Sequence, residues 1–164
     1  MKLVIVTDAW EPQVNGVVRT LGKTRDHLQE MGYDVTMLTP LDFRTIPCPS
    51  YPSIRLALMP YRKLANMLDN LQADAVHIAT EGPLGMAARR WCLRHNIRFT
   101  TSFHTQFPEY LRLRLPIPLS WSYAWLRRFH RPALRTLVPT ISQQQRLQQY
   151  GFQYLHLYLG LSNQ

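Results

Sequence analysis

KLVIVTDAWEPQVNGVVRTL, residues 2–21, contains the signals for a strand, a loop and a helix start in immediate succession. Residues 3–6 form an unbroken apolar run rich in β-branched side chains, which is typical of a parallel strand covered on both faces. Pro12, Asn15 and Gly16 then mark a loop. Asn15 is a good N-cap, because its side-chain oxygen can accept from the first free N–H groups of a helix. The stretch therefore predicts a first βα unit.

The predicted helix has one apolar face, because apolar residues recur at multiples of three to four positions. These residues are Val14, Val18, Leu21, Leu28 and Met31. Gly32 follows in the position where a glycine commonly ends a helix.

A strand, a glycine-bearing loop and a helix N-terminus together form a potential anion site, since free N–H groups and the helix dipole point at one place. Gly16 would let a phosphate approach the backbone closely. An ordinary first unit of an α/β protein explains the same pattern. Both interpretations stay open, because the loop has one glycine and not the G-x-G-x-x-G series of a dinucleotide fold.

The remaining chain alternates strand and helix patterns. Strands are predicted at 33–40, 54–58, 73–79, 97–103 and 136–140, and a proline-containing loop at 41–53. Helices are predicted at 61–71, at 83–95, and in a glutamine-rich stretch that Ser142 caps and that ends near Gly151. Such alternation indicates a parallel sheet with right-handed crossovers. We therefore predict an α/β fold with a Rossmann-like parallel sheet and helices on both faces.

Three loops follow predicted strands, at 8–16, 80–85 and 104–110. In open parallel sheets, ligands lie beyond the carboxyl ends of the strands, so we expect the three loops to share one ligand-binding rim.

His104 ends a strand on this rim, where its imidazole could donate to a sugar hydroxyl or a phosphate, or could be a structural histidine. Glu81 could accept from an acceptor hydroxyl or cap the helix behind it. Asp8 and Glu11 follow the first strand and could have the same role.

The net charge of +9 is unevenly distributed. Eight basic and eight acidic residues cancel up to Thr80, whereas eleven arginines and two glutamates follow from Glu81 onward. Such asymmetry suggests an anionic partner.

Residues 111–135 combine six arginines with Trp121 and Trp125. A core helix with solvated arginines is the first interpretation, a membrane surface the second and nucleic acid the third.

Several classes of protein are disfavoured. No apolar run is long enough to span a bilayer, and the chain enters a strand without a signal peptide, so we expect a cytoplasmic protein. Cys48 and Cys92 lack metal or redox spacing and are expected to be reduced. No Walker loop, H-E-x-x-H motif or Ser-His-Asp order is present.

Four blocks in order resemble the N-terminal domain of retaining family 4 glycosyltransferases, especially bacterial members that glycosylate lipids such as diacylglycerol or phosphatidylinositol. The blocks are TDAWEPQVNGVVRTL at 7–21, ATEGPLG at 79–85, SFHTQFPEY at 102–110 and VPTISQQQRLQQYGF at 138–152. The resemblance implies the N-terminal half of a GT-B fold, in which two Rossmann-like domains face each other across a cleft. It implies a UDP- or GDP-sugar donor, a lipid or other hydroxyl acceptor, and no cofactor or metal.

The resemblance also implies roles for individual residues. Gly16 matches the glycine near the donor phosphates and the transferred sugar, whereas Asn15 stands where many relatives have another glycine. His104 matches the histidine that contacts the transferred sugar, and Glu81 with Gly82 matches the acceptor-side loop. The basic aromatic stretch fits a peripheral contact with an anionic membrane, through Trp121, Trp125, Arg127, Arg128 and Arg131. No nucleic-acid partner is implied.

The family continues into a second, donor-binding domain, whereas this chain ends at Gln164. We therefore expect one acceptor-side domain at 1–152, an atypical tail at 153–164, and a second domain that is lost or belongs to another chain. Such a chain is expected to be inactive as a transferase alone. The alternative is a non-enzymatic, basic module on the membrane surface. Half of a nucleotide-binding oxidoreductase is disfavoured by the missing glycine series.

Overall fold

The computed structural model describes residues 1–49, 51–104 and 116–157, and it divides into two compact units, Met1–Phe99 and Thr100–Gln164. Each unit is described by itself.

Unit 1 contains most of the alternating pattern predicted from the sequence. Its elements are β1 (Lys2–Val6), α1 (Gly16–Glu30), β2 (Asp34–Leu38), a 3₁₀ turn (Pro40–Asp42), β3 (Thr45–Cys48), β4 (Tyr51–Ala57), α2 (Tyr61–Leu71), β5 (Ala75–Ile78) and α3 (Pro83–Arg94). Strand β1 lies between β2 and β5, and all three are parallel. The consecutive residues Val4, Ile5 and Val6 are all buried, so both faces of β1 are covered, as the sequence predicts.

Helix α1 begins and ends where the sequence predicts. The Asn15 side chain accepts from the Val18 N–H at 3.0 Å, and Gly32 follows the helix with a φ of +89°. Leu21 is buried in a core with β1 and β2. The predicted apolar face is wrong at its two ends, because Val14 and Met31 are exposed. Val14 precedes the N-cap and Met31 is the C-cap residue, so the helical period does not apply to them.

The predicted loop at 41–53 is also wrong, because β3 and β4 form a separate antiparallel pair there. The prolines at positions 47 and 52 argued against a strand here, since proline has no N–H group to donate to a neighbouring strand. Each strand of an isolated pair has an open edge that needs no donor, so the pair tolerates both prolines.

Unit 2 begins within β6 (Phe99–Ser102) and continues through α4 (Leu119–His130), β7 (Arg135–Val138), α5 (Ile141–Gln149) and β8 (Leu155–Leu157). Strand β7 pairs in parallel with β6 and with β8. The unit has its own apolar core, formed by Phe103, Tyr123, Leu126, Val138, Leu147 and Phe152.

The start and the end of α5 differ from the sequence expectation. Thr140, not Ser142, is the N-cap residue, and its hydroxyl oxygen accepts from the Gln143 N–H at 3.2 Å. Ser142 lies inside the first turn. Beyond the helix, β8 occupies part of the segment 153–164, to which no element was assigned, because three residues are too few to show a period.

Candidate functional site

The loops after β1 and β5 are joined by a reciprocal pair of hydrogen bonds. The Asp8 N–H donates to the Thr80 hydroxyl oxygen at 2.7 Å, and that hydroxyl donates to Asp8 Oδ2 at 2.7 Å. Because β1 and β5 are neighbouring parallel strands, their carboxyl ends meet at the same edge. Two of the three predicted rim loops are therefore in contact within unit 1.

The Asp8 carboxylate also binds the start of α3. The Leu84 N–H donates to Oδ1 at 2.8 Å, and the Gly85 N–H donates to Oδ2 at 3.3 Å. These amides belong to the first turn of the helix, where N–H groups lack helical partners and an anion is favoured. Asp8 is thus the acceptor that fixes the loop 80–85 against the end of β1.

Asp8 is only 8% exposed, and this burial raises the pKa of its carboxyl above the ordinary value. The hydrogen bonds from Thr80, Leu84 and Gly85 act in the opposite direction on that pKa, and the nearby charge of Glu81 raises it further. All of its described partners are groups of the protein itself.

Two glycines of the loop 80–85 are required by space. A Cβ on Gly82 would lie 2.4 Å from Asp8 Cγ, and a Cβ on Gly85 would lie 1.8 Å from the Thr80 carbonyl oxygen. Neither contact is sterically possible without movement. The sequence indicated Gly82 by resemblance only, and the structure supplies a physical reason, which is the close approach of the Asp8 carboxylate.

Gln13 connects Asp8 to the start of α1, and sequence reasoning missed it. Its side chain is buried, its Nε2 donates to the Asp8 carbonyl oxygen at 3.3 Å, and its Oε1 accepts from Asn15 Nδ2 at 3.2 Å. A single glutamine in a loop carries no periodic signal, so only the three-dimensional contacts identify it. Asn15 therefore caps α1 and is itself held by the loop.

Gly16, the first residue of α1, differs from Gly82 because nothing crowds it. Apart from its chain neighbours and the backbone of its own helix, no atom of the described residues lies within 4 Å of the position that a Cβ would occupy, and Gly16 is exposed. Glycine lowers helix stability relative to alanine. Internal packing therefore gives no reason for a glycine here, which leaves open space for a ligand at the helix start.

The remaining predicted site residues lie where the sequence suggests. Glu81 and Gly82 are half-buried in the loop after β5, and Glu11 is exposed in the loop after β1. His104 is half-buried two residues beyond β6 in unit 2. Residues 105–110 lie outside the described part of the chain. The roles of these residues stay predictions.

No group of three His, Cys, Asp or Glu side chains suitable for a metal ion occurs in the described ranges. Among those same ranges, no helix has the length and apolar character needed to cross a membrane.

Helix α4 has two different faces. Tyr123, Leu126 and Phe129 are buried in unit 2, whereas Trp121 is 70% exposed and Trp125 is 41% exposed. The predicted membrane-contact arginines Arg127, Arg128 and Arg131 are exposed as well. At 100° per residue, Trp121, Trp125 and Arg128 lie on one side of the helix. These three exposed residues are called the α4 outer face below, whereas Arg127 lies about 120° away from Trp121 around the helix and Arg131 is the C-cap residue.

Comparison with known sequences identifies the family, since the model of Glycosyltransferase Family 4 matches residues 14–157. The chain belongs to glycosyltransferase family 4. The resemblance seen in the sequence is thereby confirmed.

The GDP-mannose-dependent alpha-mannosyltransferase of Mycobacterium tuberculosis (strain CDC 1551 / Oshkosh) is 23% identical over 174 residues, covering 95% of this chain and 46% of the relative. The alpha-monoglucosyldiacylglycerol synthase of Streptococcus pneumoniae (strain ATCC BAA-255 / R6) is 27% identical over 125 residues, covering 68% of this chain and 28% of that protein. The chain thus spans about half the length, or less, of the curated relatives it matches.

Among solved structures, an alpha-glucosyltransferase in complex with UDP and a DNA 13-mer superimposes with a TM-score of 0.61 at 16% identity. The superposition covers 98% of this chain and 42% of that protein. It confirms the predicted Rossmann-like α/β fold of the N-terminal half of a GT-B enzyme.

Proposed function

We propose that this domain is the acceptor-side half of a retaining glycosyltransferase that transfers a hexose from a UDP- or GDP-sugar to a hydroxyl group of a lipid or another acceptor. The observation that carries the proposal is the open backbone at Gly16, at the start of α1 and beyond the carboxyl end of β1. The family membership makes a nucleotide-sugar the expected ligand there.

In such a transfer, the bond between the anomeric carbon and the diphosphate oxygen breaks, and a bond to the acceptor oxygen forms on the same face of the sugar. Negative charge therefore develops on the leaving diphosphate. The N-terminus of α1, with Asn15 and Gly16, is suited to stabilise that charge, because its free N–H groups and dipole favour an anion. His104 is proposed to contact the transferred sugar as the catalytic residue of this half.

The acceptor is proposed to bind at the loop 80–85, through Glu81 and Gly82, with Glu11 on the neighbouring loop. Asp8 was expected to bind the acceptor as well. Its carboxylate accepts from Thr80, Leu84 and Gly85, which supports an indirect contribution through the position of Glu81. The direct contact stays a prediction.

The α4 outer face is proposed to rest on an anionic membrane surface. Exposed tryptophans favour the interface between water and lipid, and arginines are attracted to anionic headgroups. A relative with diacylglycerol in its name supports a lipid acceptor and hence a peripheral position on the cytoplasmic membrane. The donor sugar is proposed to be held mainly by a second domain, and we expect no metal, cofactor or nucleic-acid partner.

A chimera tests the proposal, because the chain matches about half of its relatives. Residues 1–157 replace the matching half of the Mycolicibacterium smegmatis GDP-mannose-dependent alpha-mannosyltransferase, which is 25% identical to this chain. Transfer of radioactive mannose from GDP-mannose to vesicle lipids is measured for the chimera and for the 164-residue chain alone. We expect transfer by the chimera and none by the chain alone.

Two glycines of α1 provide the matched comparison. Gly16 and Gly22 both have open space at the Cβ position, so neither Gly16→Ala nor Gly22→Ala should harm folding. Gly16→Ala is expected to reduce kcat by about 100-fold through a displaced phosphate, and Gly22→Ala to change it little. Equal transfer by the two variants would remove the phosphate role of Gly16. A folded chimera that binds vesicles without transferring sugar would favour the non-enzymatic membrane module instead.

A further inference from the structure

Unit 2 contains a cavity of about 470 Å³ that the proposed transfer reaction does not use. Its wall is formed by the end of α4 and by the segment between α5 and β8. The residues that matter here are Arg127, His130, Arg131, Gly151, Gln153 and Tyr154.

Among the described residues of unit 2, no acidic side chain offsets the positive charge of this cavity. The described residues of unit 2 are 100–104 and 116–157, and neither range contains an aspartate or a glutamate. No acidic side chain in these ranges can therefore neutralise Arg127 or Arg131. Two guanidinium groups in one concave site therefore favour an anion from outside the chain.

The Arg127 guanidinium is held in place without being neutralised. Its Nη1 donates to the Tyr150 carbonyl oxygen at 2.8 Å, just beyond the end of α5. A carbonyl carries no net charge, so the Arg127 guanidinium keeps its full positive charge and its remaining N–H donors. A fixed guanidinium loses less entropy when it binds a ligand than a mobile one does.

The backbone beside Arg127 leaves space next to the guanidinium. Gly151 has a φ of +82°, and a Cβ there would lie 3.4 Å from Arg127 Nη1 and 3.6 Å from its Cδ. Tyr154, on the same wall, has a φ of +56°, which is uncommon for a residue other than glycine. The turn between α5 and β8 therefore has left-handed backbone conformations at two residues that line the cavity.

We infer that this cavity binds a phosphate group. Phosphate oxygens match the planar fork of an arginine, which can donate two parallel hydrogen bonds to them. The Gln153 side chain adds a neutral amide to the same wall.

A phospholipid headgroup and a soluble phosphate compound offer the same chemistry. The headgroup is the expected source, because Arg131 is the C-cap residue of α4, the helix that carries the exposed Trp121 and Trp125. This choice of source rests on the proposed membrane contact of α4, whereas the phosphate site itself does not.

Vesicle binding by the full chain tests the inference. Binding to phosphatidylcholine vesicles is compared with binding to vesicles containing 30 mol% phosphatidylglycerol, on the order of the anionic content of natural surfaces. Arg131→Gln is compared with Arg128→Gln, which removes the same charge three residues earlier, in the last turn of α4, at a residue that does not line the cavity.

General attraction to an anionic surface predicts that each variant loses about fivefold in affinity. A phosphate site predicts that Arg131→Gln loses at least about tenfold more than Arg128→Gln, because charge-assisted hydrogen bonds are lost as well. Arg131→Lys, which keeps the charge but not the fork, is expected to lie between them. Equal losses for Arg131→Gln and Arg128→Gln would rule out a phospholipid headgroup as the ligand of this site.

A soluble arm separates the two sources. Glycerol 3-phosphate is titrated into the full chain, and the amide NMR signals of Gly151 and Gln153 are followed. Saturable shifts that Arg131→Gln abolishes would support the phosphate site. If Arg131→Gln and Arg128→Gln then lose equal affinity for vesicles, the ligand is assigned as a soluble phosphate compound. The absence of both the shifts and the differential vesicle loss contradicts the inference. Neither readout depends on sugar transfer, so failure of the proposed transferase leaves this test intact.

Discussion

The rim of unit 1 and the arginine-lined cavity of unit 2 differ in whether their charged side chains have partners within the protein. At the rim, one buried carboxylate accepts hydrogen bonds from a hydroxyl and two amides of the protein, so its bonding capacity is used internally. In the cavity, Arg127 and Arg131 have no acidic side chain near them in the described sequence of unit 2. The first arrangement builds a fixed surface, whereas the second leaves charge available to a ligand. A buried charged group whose hydrogen-bond partners belong to the protein thus indicates a structural role, whereas charged groups without an oppositely charged partner indicate a binding role.

The largest expected effect follows from removal of the carboxylate at the rim. Asp8→Ala leaves the Thr80 hydroxyl and the Leu84 and Gly85 amides without their acceptor. We expect the free energy of unfolding to fall by about 3 kcal/mol, measured by urea denaturation. Asp26→Ala is the control, because Asp26 forms an exposed pair with Arg25 that is worth at most about 1 kcal/mol. Equal losses in the two variants would mean that Asp8 is no more structural than a surface residue.

The next effect comes from crowding the same carboxylate. Gly82→Ala places a Cβ 2.4 Å from Asp8 Cγ, so the loop must move, and we expect a loss of about 2 kcal/mol. Gly22→Ala, where the Cβ meets nothing within 4 Å, is expected to be neutral or to stabilise α1 by up to about 1 kcal/mol. If Gly82→Ala is tolerated as well as Gly22→Ala, the rim is not held as tightly as the contacts imply.

The pH dependence of stability provides a smaller and more specific effect. Burial raises the folded-state pKa of Asp8 above its ordinary value of 3.8. As the pH rises, the Asp8 carboxyl therefore loses its proton at a lower pH in the unfolded chain than in the folded protein. The contribution of Asp8 to stability is therefore complete below pH 3.8 and declines as the pH rises through the folded-state pKa. The stability of the protein relative to Asp8→Asn should thus decrease between acid and neutral pH. An increase over that interval would show that the hydrogen bonds outweigh the burial of the carboxylate.

The smallest effect on stability is expected at the α4 outer face. Trp121→Ala should change the free energy of unfolding by less than about 0.5 kcal/mol, because the side chain is 70% exposed. Its partition onto anionic vesicles should weaken by about tenfold. Leu126→Ala, on the buried face of the same helix, is expected to cost at least about 2 kcal/mol of stability. A large loss of stability in Trp121→Ala would place that side chain in a packing role.

The sequence predicted what depends on neighbours along the chain. The buried run of β1, the cap at Asn15 and the turn at Gly32 all rest on contacts within a few residues, and the structure confirms them. Strand β3 and its pairing with β4 were missed, because the prolines are permitted only by the open edges of an isolated pair, whereas the strand predicted at 54–58 corresponds to β4. Thr140 and Ser142 are equally good caps by type, and only the backbone decided between them.

The candidate site was less predictable, because its contacts join distant parts of the chain. Asp8 was identified as a polar residue after a strand, but its partners Thr80, Leu84 and Gly85 are more than seventy residues away. Gln13 carried no local signal at all. Likewise, the cavity beside Arg131 depends on how the end of α4 meets the turn before β8, which no local pattern encodes.

The bond between Asp8 and Thr80 also has a consequence for the order of events during synthesis. The two residues are 72 positions apart, so the loop after β1 leaves the ribosome long before its partner exists. At 5–20 residues per second, the delay is roughly 4–15 s. We expect the loop 8–16 of a ribosome-bound chain to be cleaved readily by protease until residue 85 has emerged, and to become protected afterwards. Early protection would mean that the loop acquires its structure without Thr80.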